Sequence, residues 1–270
     1  MYKLIAIDID GTLLNDNKEI TKEVNEAIQA AKARGVKVVI CTGRPIGGVR
    51  PLIEELKLQD EDEYVITYNG ALVQNTHTNE VVAEESLTFK DLKVLYDLSV
   101  ELNSPMHYFD TKTVYTPNKE INYYTLYEAY INKIPLQYKP IDEVSEDMPI
   151  PKLMFIDEPE RLNDVIAAIP ESFKEQYAMV KSAPFFLEIL HPSVSKGNAV
   201  KQLAEKLGIK REEVICMGDG ENDLSMIEYA GCGVAMANAE PSVKELAKFH
   251  TLSNNENGVA YAIEKLILEK

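Results

Sequence analysis

Positive charge is scarce in this chain. Its 270 residues carry 28 Lys and Arg against 44 Asp and Glu, a formal net charge of −16. Nucleic-acid affinity comes largely from cations that neutralise phosphates, so the balance argues against a phosphate-backbone binder. An anionic substrate must instead be met by a local cation or a metal ion. Cysteine is sparse too. Cys41, Cys216 and Cys232 are odd in number and form no CxxC pair, the pattern of reduced, buried thiols. No run approaches the ~18 apolar residues that cross a bilayer, and no membrane partner is expected. One lysine before Leu4-Ile5-Ala6-Ile7 is too little for a signal peptide. Repeats and low-complexity segments are absent as well. A cytoplasmic chain of enzyme size is the expectation.

What is present suffices for a sizeable core: 45% of the residues are hydrophobic, which sets aside disorder. Strand and helix signals alternate over residues 1–83. Residues 4–9, 36–41 and 64–67 form short apolar runs suited to buried strands. Thr21 is placed to cap a helix carrying Val24, Ala27, Ile28 and Ala31 on one face, and Gly35 to end it. The alternation resumes with a helix over 197–207 and a strand over 214–217. A helix over 224–229, a strand over 233–236 and two helices over 243–249 and 259–268 follow. Such a pattern predicts a Rossmann-like, doubly wound parallel α/β core. Residues 84–190 differ: they hold 9 of the 14 Tyr, with 10 basic against 19 acidic residues. A helix over 92–102 and strands over 106–109, 153–156 and 185–190 predict an inserted α+β domain. The expected division is 1–83 and 191–270 as core, 84–190 as insert.

Chemistry-bearing residues gather at strand ends. Asp8-Ile9-Asp10-Gly11-Thr12-Leu13 puts two carboxylates at i and i+2, on one side of an extended chain, where the first strand ends. Ligands of open parallel sheets collect at such carboxyl ends. An Asp-x-Asp alone is more often an acidic turn; the six-residue string is far harder to reach by chance. Cys41-Thr42-Gly43-Arg44 ends the second strand, and a hydroxyl followed by a glycine N–H suits a phosphate oxygen, although Thr-Gly alone is more often a turn. Lys196-Gly197 opens a helix after Ser195, adding an ammonium to the positive end of the helix dipole; singly, it reads as a surface lysine. Gly218-Asp219-Gly220-Glu221-Asn222-Asp223 brings further acids to the same edge and lacks the ligand series of an EF-hand. A nucleophilic Asp, metal-binding acids, a hydroxyl and a lysine are the parts needed for phosphoryl transfer. Magnesium would let the acids tolerate an anionic phosphate.

The motifs DIDGTLL, CTGR, SKGNAV and GDGENDLSM stand in that order, with a long insertion between the second and third. In them the chain resembles the haloacid dehalogenase superfamily of phosphatases, in its Cof-type branch with a large α/β cap, and is closest to the bacterial sugar-phosphate phosphatases. The resemblance implies a magnesium-dependent phosphatase of sugar phosphates or similar small metabolites. Asp8 would be the nucleophile forming an aspartyl-phosphate. Asp10 would protonate the leaving alcohol and then activate water, its carbonyl binding magnesium. Asp219 would complete the metal ligands with Asp8, and Asp223 would fix their geometry from behind. Thr42, the N–H groups of Ile9 and Gly43, Lys196 and Asn222 would hold the phosphoryl group. The insert would be the cap, choosing the substrate. The alternative within the superfamily is a phosphotransferase or phosphomutase; outside it stand an Asp-phosphorylated receiver and a noncatalytic sensor, which the complete catalytic set disfavours. His77, His107, His191 and His250 are scattered and read as structural or surface residues. Tyr68-Asn69-Gly70-Ala71 reads as a hairpin turn, its backbone facing substrate as readily as not. The Tyr123–Tyr130 cluster reads as half core packing. Arg44 and Arg50 suit a second anionic group or a pairing with Glu54 or Glu55. The oligomeric state is left open.

Overall fold

The computed structural model describes residues 1–269. The chain divides into two compact units: Met1–Gly43, Pro51–Ala83 and Ser195 onward form the first, Arg44–Arg50 and Glu84–Val194 the second. In chain order the elements begin with β1 (Leu4–Ile7), α1 (Lys22–Ala33), β2 (Lys37–Cys41), α2 (Ile46–Glu55), β3 (Tyr64–Thr67), β4 (Leu72–Asn75) and β5 (Val81–Glu84). There follow α3 (Phe89–Glu101), β6 (Met106–Phe109), β7 (Val114–Thr116), α4 (Tyr123–Ile131), β8 (Leu136–Tyr138), β9 (Leu153–Ile156), α5 (Pro159–Ala168), α6 (Glu171–Gln176), β10 (Ala178–Ala183) and β11 (Phe186–Leu190). The chain ends through α7 (Lys196–Lys206), β12 (Val214–Gly218), α8 (Leu224–Tyr229), β13 (Cys232–Ala235), α9 (Pro241–Leu246), β14 (Phe249–His250) and α10 (Gly258–Ile263).

The first unit is built on a sheet of order β14-β13-β12-β1-β2-β3-β4-β5. It is parallel from β14 through β3, and β4 turns back antiparallel on β3. All four residues of β1 are buried, as its unbroken apolar run requires. In α1, Thr21 Oγ1 accepts the Val24 N–H at 3.3 Å, while Val24, Ile28 and Ala31 form the buried stripe. Crossovers from β1 step one way along the sheet and those from β12 the other. Right-handed crossovers then put α1 and α8 on opposite faces, the expected doubly wound α/β fold. The reversal opens a crevice beyond the carboxyl ends of β1 and β12, where such sheets bind ligands. The β3–β4 hairpin turns through Tyr68, Asn69 and Gly70, all at positive φ.

The second unit is α+β, with sheet order β10-β11-β9-β6-β7-β8. Neighbours are antiparallel except β7 and β8, which α4 joins as a parallel crossover. Leu92 and Leu95 of α3 and Leu162 and Val165 of α5 share a core with Met106, Tyr108 and Phe155. On α4, Thr125, Glu128 and Ala129 are the buried residues, whereas Tyr123, Tyr127 and Tyr130 are exposed. The tyrosine cluster thus packs less than its sequence suggests. Tyr124 stacks on Phe185 at 4.4 Å between centroids.

The two units depart from the expected division at two places. Arg44–Arg50 groups with the second unit, where a Cβ on Gly47 or Gly48 would collide with Ile134 or Asn132. His191–Val194 does so too, because Ser193 Oγ donates to Glu85 at 2.7 Å.

Beneath α4, Lys152 is buried with its Nζ 3.4 Å from Glu128 Oε1 and 3.2 Å from Glu188 Oε1. It also lies 4.8 Å from the centroid of the Phe109 ring. Burial alone would lower its pKa, but the two glutamates outweigh burial and raise it. Removing one partner of a buried ion cluster leaves charge without compensation. Lys152→Met is therefore expected to lower the unfolding free energy by about 3–5 kcal/mol, read from urea denaturation, and Glu128→Gln with Glu188→Gln should recover part of that loss. A loss too small to measure would contradict the ion cluster's role.

Candidate active site

Strands β1 and β12 lie side by side, Ile7 opposite Met217, so the residues after them emerge together. The Asp8 N–H still bonds the Met217 carbonyl at 3.0 Å, fixing the carboxylate at the strand end. Asp8, Asp219 and Asp223 each offer a carboxylate oxygen within 4.8 Å of the others. Lys196, the first residue of α7, is 1% exposed. Its Nζ is 2.5 Å from Asp8 Oδ1 and 2.6 Å from Asp223 Oδ1.

Local structure explains each placement. Ser195 Oγ caps α7 by accepting the Asn198 N–H at 3.1 Å. The Gly197 N–H donates to Ser225 Oγ at 3.0 Å, and a Cβ on Gly197 would run into the Ser225 backbone. The start of α7 is thereby set against α8. Asp223 Oδ2 accepts the N–H groups of Asp219 at 2.9 Å and Gly220 at 3.0 Å, so both its oxygens are engaged. Thr12 Oγ1 donates to Asp219 Oδ1 at 2.8 Å. Gly11 has φ +82°, and a Cβ there would occupy the space of the Asp219 carboxylate.

Burial first, and then the Asp223 charge, push Asp8 up to about 8 against the pull of Lys196. Burial raises Asp219 to about 6 despite the Thr12 hydrogen bond. Lys196 is lowered by burial and raised further by Asp8 and Asp223, so it stays charged. Three clustered carboxylates share one ammonium. An all-oxygen donor set with uncompensated negative charge fits a hard divalent cation such as magnesium, and Asp8 and Asp219, whose oxygens are less engaged than those of Asp223, would hold it.

The remaining expected residues are distributed unevenly. The Asp10 carboxylate lies outside the cluster, half exposed and 3.0 Å from Lys18 Nζ, though close enough that its charge adds to the rise in Asp219. Thr42 is buried, its N–H bonded to the Ile66 carbonyl at 2.9 Å. The N–H groups of Ile9 and Gly43 donate to no acceptor among the described residues, which leaves them available to an anion. Asn222 Nδ2 donates to Asn69 Oδ1 at 3.2 Å. Sequence reasoning missed the side chains of Asn69 and Thr12. Asn69 also stands against Gly43, where a Cβ would meet its amide at 3.0 Å. The signal for Asn69 was an Asn in a turn needing positive φ; for Thr12 it was a hydroxyl inside the first motif. No histidine joins the cluster. Burial, with the charge of Lys152, lowers His107 to about 3, and His191 Nδ1 is 2.7 Å from Ser193 Oγ.

Comparison with known proteins identifies the family. Residues 5–263 match the model of the haloacid dehalogenase-like hydrolase family. The chain is 63% identical over 270 residues, all of both chains, to the provisionally named phosphatase YxeH of Bacillus subtilis (strain 168). It is 33% identical over 266 residues to the 5-amino-6-(5-phospho-D-ribitylamino)uracil phosphatase YcsE of the same organism, covering 98% of this chain and 96% of that one. The crystal structure of a haloacid dehalogenase-like hydrolase from Bacteroides thetaiotaomicron superposes with a TM-score of 0.87 at 33% identity, over 99% of this chain and 100% of the other. On the family match and on relatives that run its full length, the chain belongs to the haloacid dehalogenase-like hydrolase family, as one of its phosphatases.

Proposed function

We propose that the protein hydrolyses the phosphoric monoester of a sugar phosphate or similar small phosphorylated metabolite through an aspartyl-phosphate on Asp8, with magnesium as cofactor. The observation that carries the reading is the buried Asp8–Lys196–Asp223 chain beside Asp219. It holds the Asp8 carboxylate through Oδ1 and keeps a protonated amine beside it. Support for the substrate class comes from YcsE, whose name gives a phosphorylated ribityl compound. A cytoplasmic location and a small-molecule partner accompany this reading, as does a second unit that selects the alcohol of the ester.

An Asp8 oxygen would form a bond to phosphorus as the ester P–O bond breaks, and Asp10, as the acid, would give its proton to the departing alkoxide. Ionised Asp10 would then take a proton from water, whose oxygen attacks phosphorus and displaces Asp8, releasing inorganic phosphate. Lys196, Thr42, Asn222 and the N–H groups of Ile9 and Gly43 would hold the phosphoryl oxygens throughout. Asp8, Asp219 and the Asp10 carbonyl would hold magnesium, with Asp223 behind them, and the ion would supply charge neutralisation for the phosphate.

Asp8→Asn should remove turnover by at least about a thousandfold while circular dichroism stays unchanged; near-normal phosphate release from the folded variant sinks the nucleophile assignment. Asp10→Asn should cost ~10²–10⁴-fold on a sugar phosphate and less on an aryl phosphate in single-turnover phosphorylation, because a good leaving group needs less acid help. Equal losses on both esters count against that role. Protons compete with the metal for its carboxylates. With Asp8 and Asp219 raised to about 8 and about 6, magnesium should bind more weakly as pH falls through that interval. The magnesium concentration that half-saturates the thermal shift should rise accordingly, and a midpoint independent of pH would speak against metal binding by these two residues.

A further inference from the structure

A second concave site lies wholly within the second unit. It is a cavity of about 630 Å³, in the range that holds small ligands. One wall is a face of α3, presenting Phe89, Lys93, Tyr96 and Asp97, residues whose spacing of four, three and one keeps them on one helical stripe. The opposite wall is formed by Asn118, just after β7, and by Tyr138, the last residue of β8. These two strands are the only parallel neighbours in the six-stranded sheet, joined by α4 as a crossover. The cavity therefore opens at the carboxyl ends of a β-α-β unit, the position at which parallel strands bind ligands.

The lining has a consistent chemistry. Phe89 and Tyr96 are anchored against the hydrophobic core of the unit, so their outer surfaces are rigid ring walls. Asn118 Oδ1 accepts the Met106 N–H at 2.9 Å and the Thr116 hydroxyl at 3.3 Å. That fixes the amide and leaves its Nδ2 with no partner among the described residues. Lys93 and Lys119 line the cavity, as do Asp97 and Asp142. None of these four makes an ion pair among the described residues; Lys93 Nζ rests 5.7 Å from the Phe89 centroid instead. Two cations and two anions thus face one space unpaired. A purely anionic ligand would meet the two aspartates and a purely cationic one the two lysines, each at an electrostatic cost. A compound bearing both charges on an apolar ring satisfies both pairs.

We propose that this cavity is a binding site for a small zwitterion with a ring, of the aromatic α-amino acid class. It is separate from the phosphatase chemistry, whose residues all belong to the first unit. The carboxylate is received by Lys93, Lys119 and the Asn118 amide, the ammonium by Asp97 and Asp142, and the ring by Phe89, Tyr96 and Tyr138. The chain contains no Trp, so L-tryptophan added to the intact protein is the sole indole in solution and its emission reports binding directly. Saturable binding of L-tryptophan is expected, about tenfold or more tighter than that of indole-3-propionate, which lacks the ammonium, or tryptamine, which lacks the carboxylate. Lys93→Ala and Asp142→Ala, both at exposed positions and each checked for an unchanged melting curve, should weaken the zwitterion several-fold. Asp8→Asn should leave its binding as it is. Absence of saturation up to ~10 mM, equal affinities for the three indoles, or unchanged binding in both charge variants overturns the proposal. Loss of binding in Asp8→Asn would place the indole in the phosphatase crevice and overturn it equally.

Discussion

The buried ammonium of Lys196 is the constraint on which the crevice depends. Three carboxylates drawn within 4.8 Å of one another repel strongly where water is excluded. Among the described residues, Lys196 alone forms ion pairs with Asp8 and Asp223. Its place is secured by packing that has nothing to do with charge: the Ser195 cap, the close approach of Gly197 to Ser225, and the approach of Gly70 to the Ser195 carbonyl. Those contacts tie the start of α7 to α8 and to the β3–β4 turn. A doubly wound sheet supplies the location and two glycines supply the clearance. The electrostatics then follow from where one lysine is forced to sit.

Which parts of this arrangement could be read in the sequence depends on burial. Strands β1, β2, β3 and β12 sit in the middle of the sheet and are nearly all buried, so their apolar runs stand out. The strands over β7 and β8 are three residues each, too short for any period to show. β10 reads Ala-Met-Val-Lys-Ser-Ala and is half exposed along its length, which blurs its alternation. α4 hides for another reason: its apolar residues surround the helix, and its buried positions include Thr125 and Glu128, the latter inside because Lys152 meets it. Only tertiary pairing makes that burial tolerable, and no local pattern reports it.

The same distinction holds at the crevice. Asp8, Lys196, Asp219 and Asp223, which the structure gathers, are legible only in combination. Each follows a buried strand or opens a helix, but singly an acid, a turn or a lysine reads as structural or surface. The side chain of Asn69 is not legible even so, since its link to Asn222 joins residues 153 apart in sequence. Thr12 is similar, reaching Asp219 across 207 residues. Asp10 shows the reverse case. Its spacing from Asp8 marks it clearly, yet spacing carries no information about a flexible side chain, and here the carboxylate turns to Lys18.

The contact between Lys196 and Asp8 spans 188 residues, and this has a consequence for synthesis on the ribosome. β1 is made first, but β12, one of its two sheet neighbours, leaves among the last segments. Until then β1 lacks half its hydrogen-bonding partners, and Asp8 stands without its counter-charge. The strands from β6 to β11, by contrast, pair only among themselves and are contiguous in the chain. Vectorial synthesis at ~5–20 residues per second gives them a lead of roughly one to six seconds over β12. The inserted unit can therefore close its own sheet while the sheet that surrounds it in sequence is still an open edge, and the nascent chain holds no assembled carboxylate cluster until its final third has emerged.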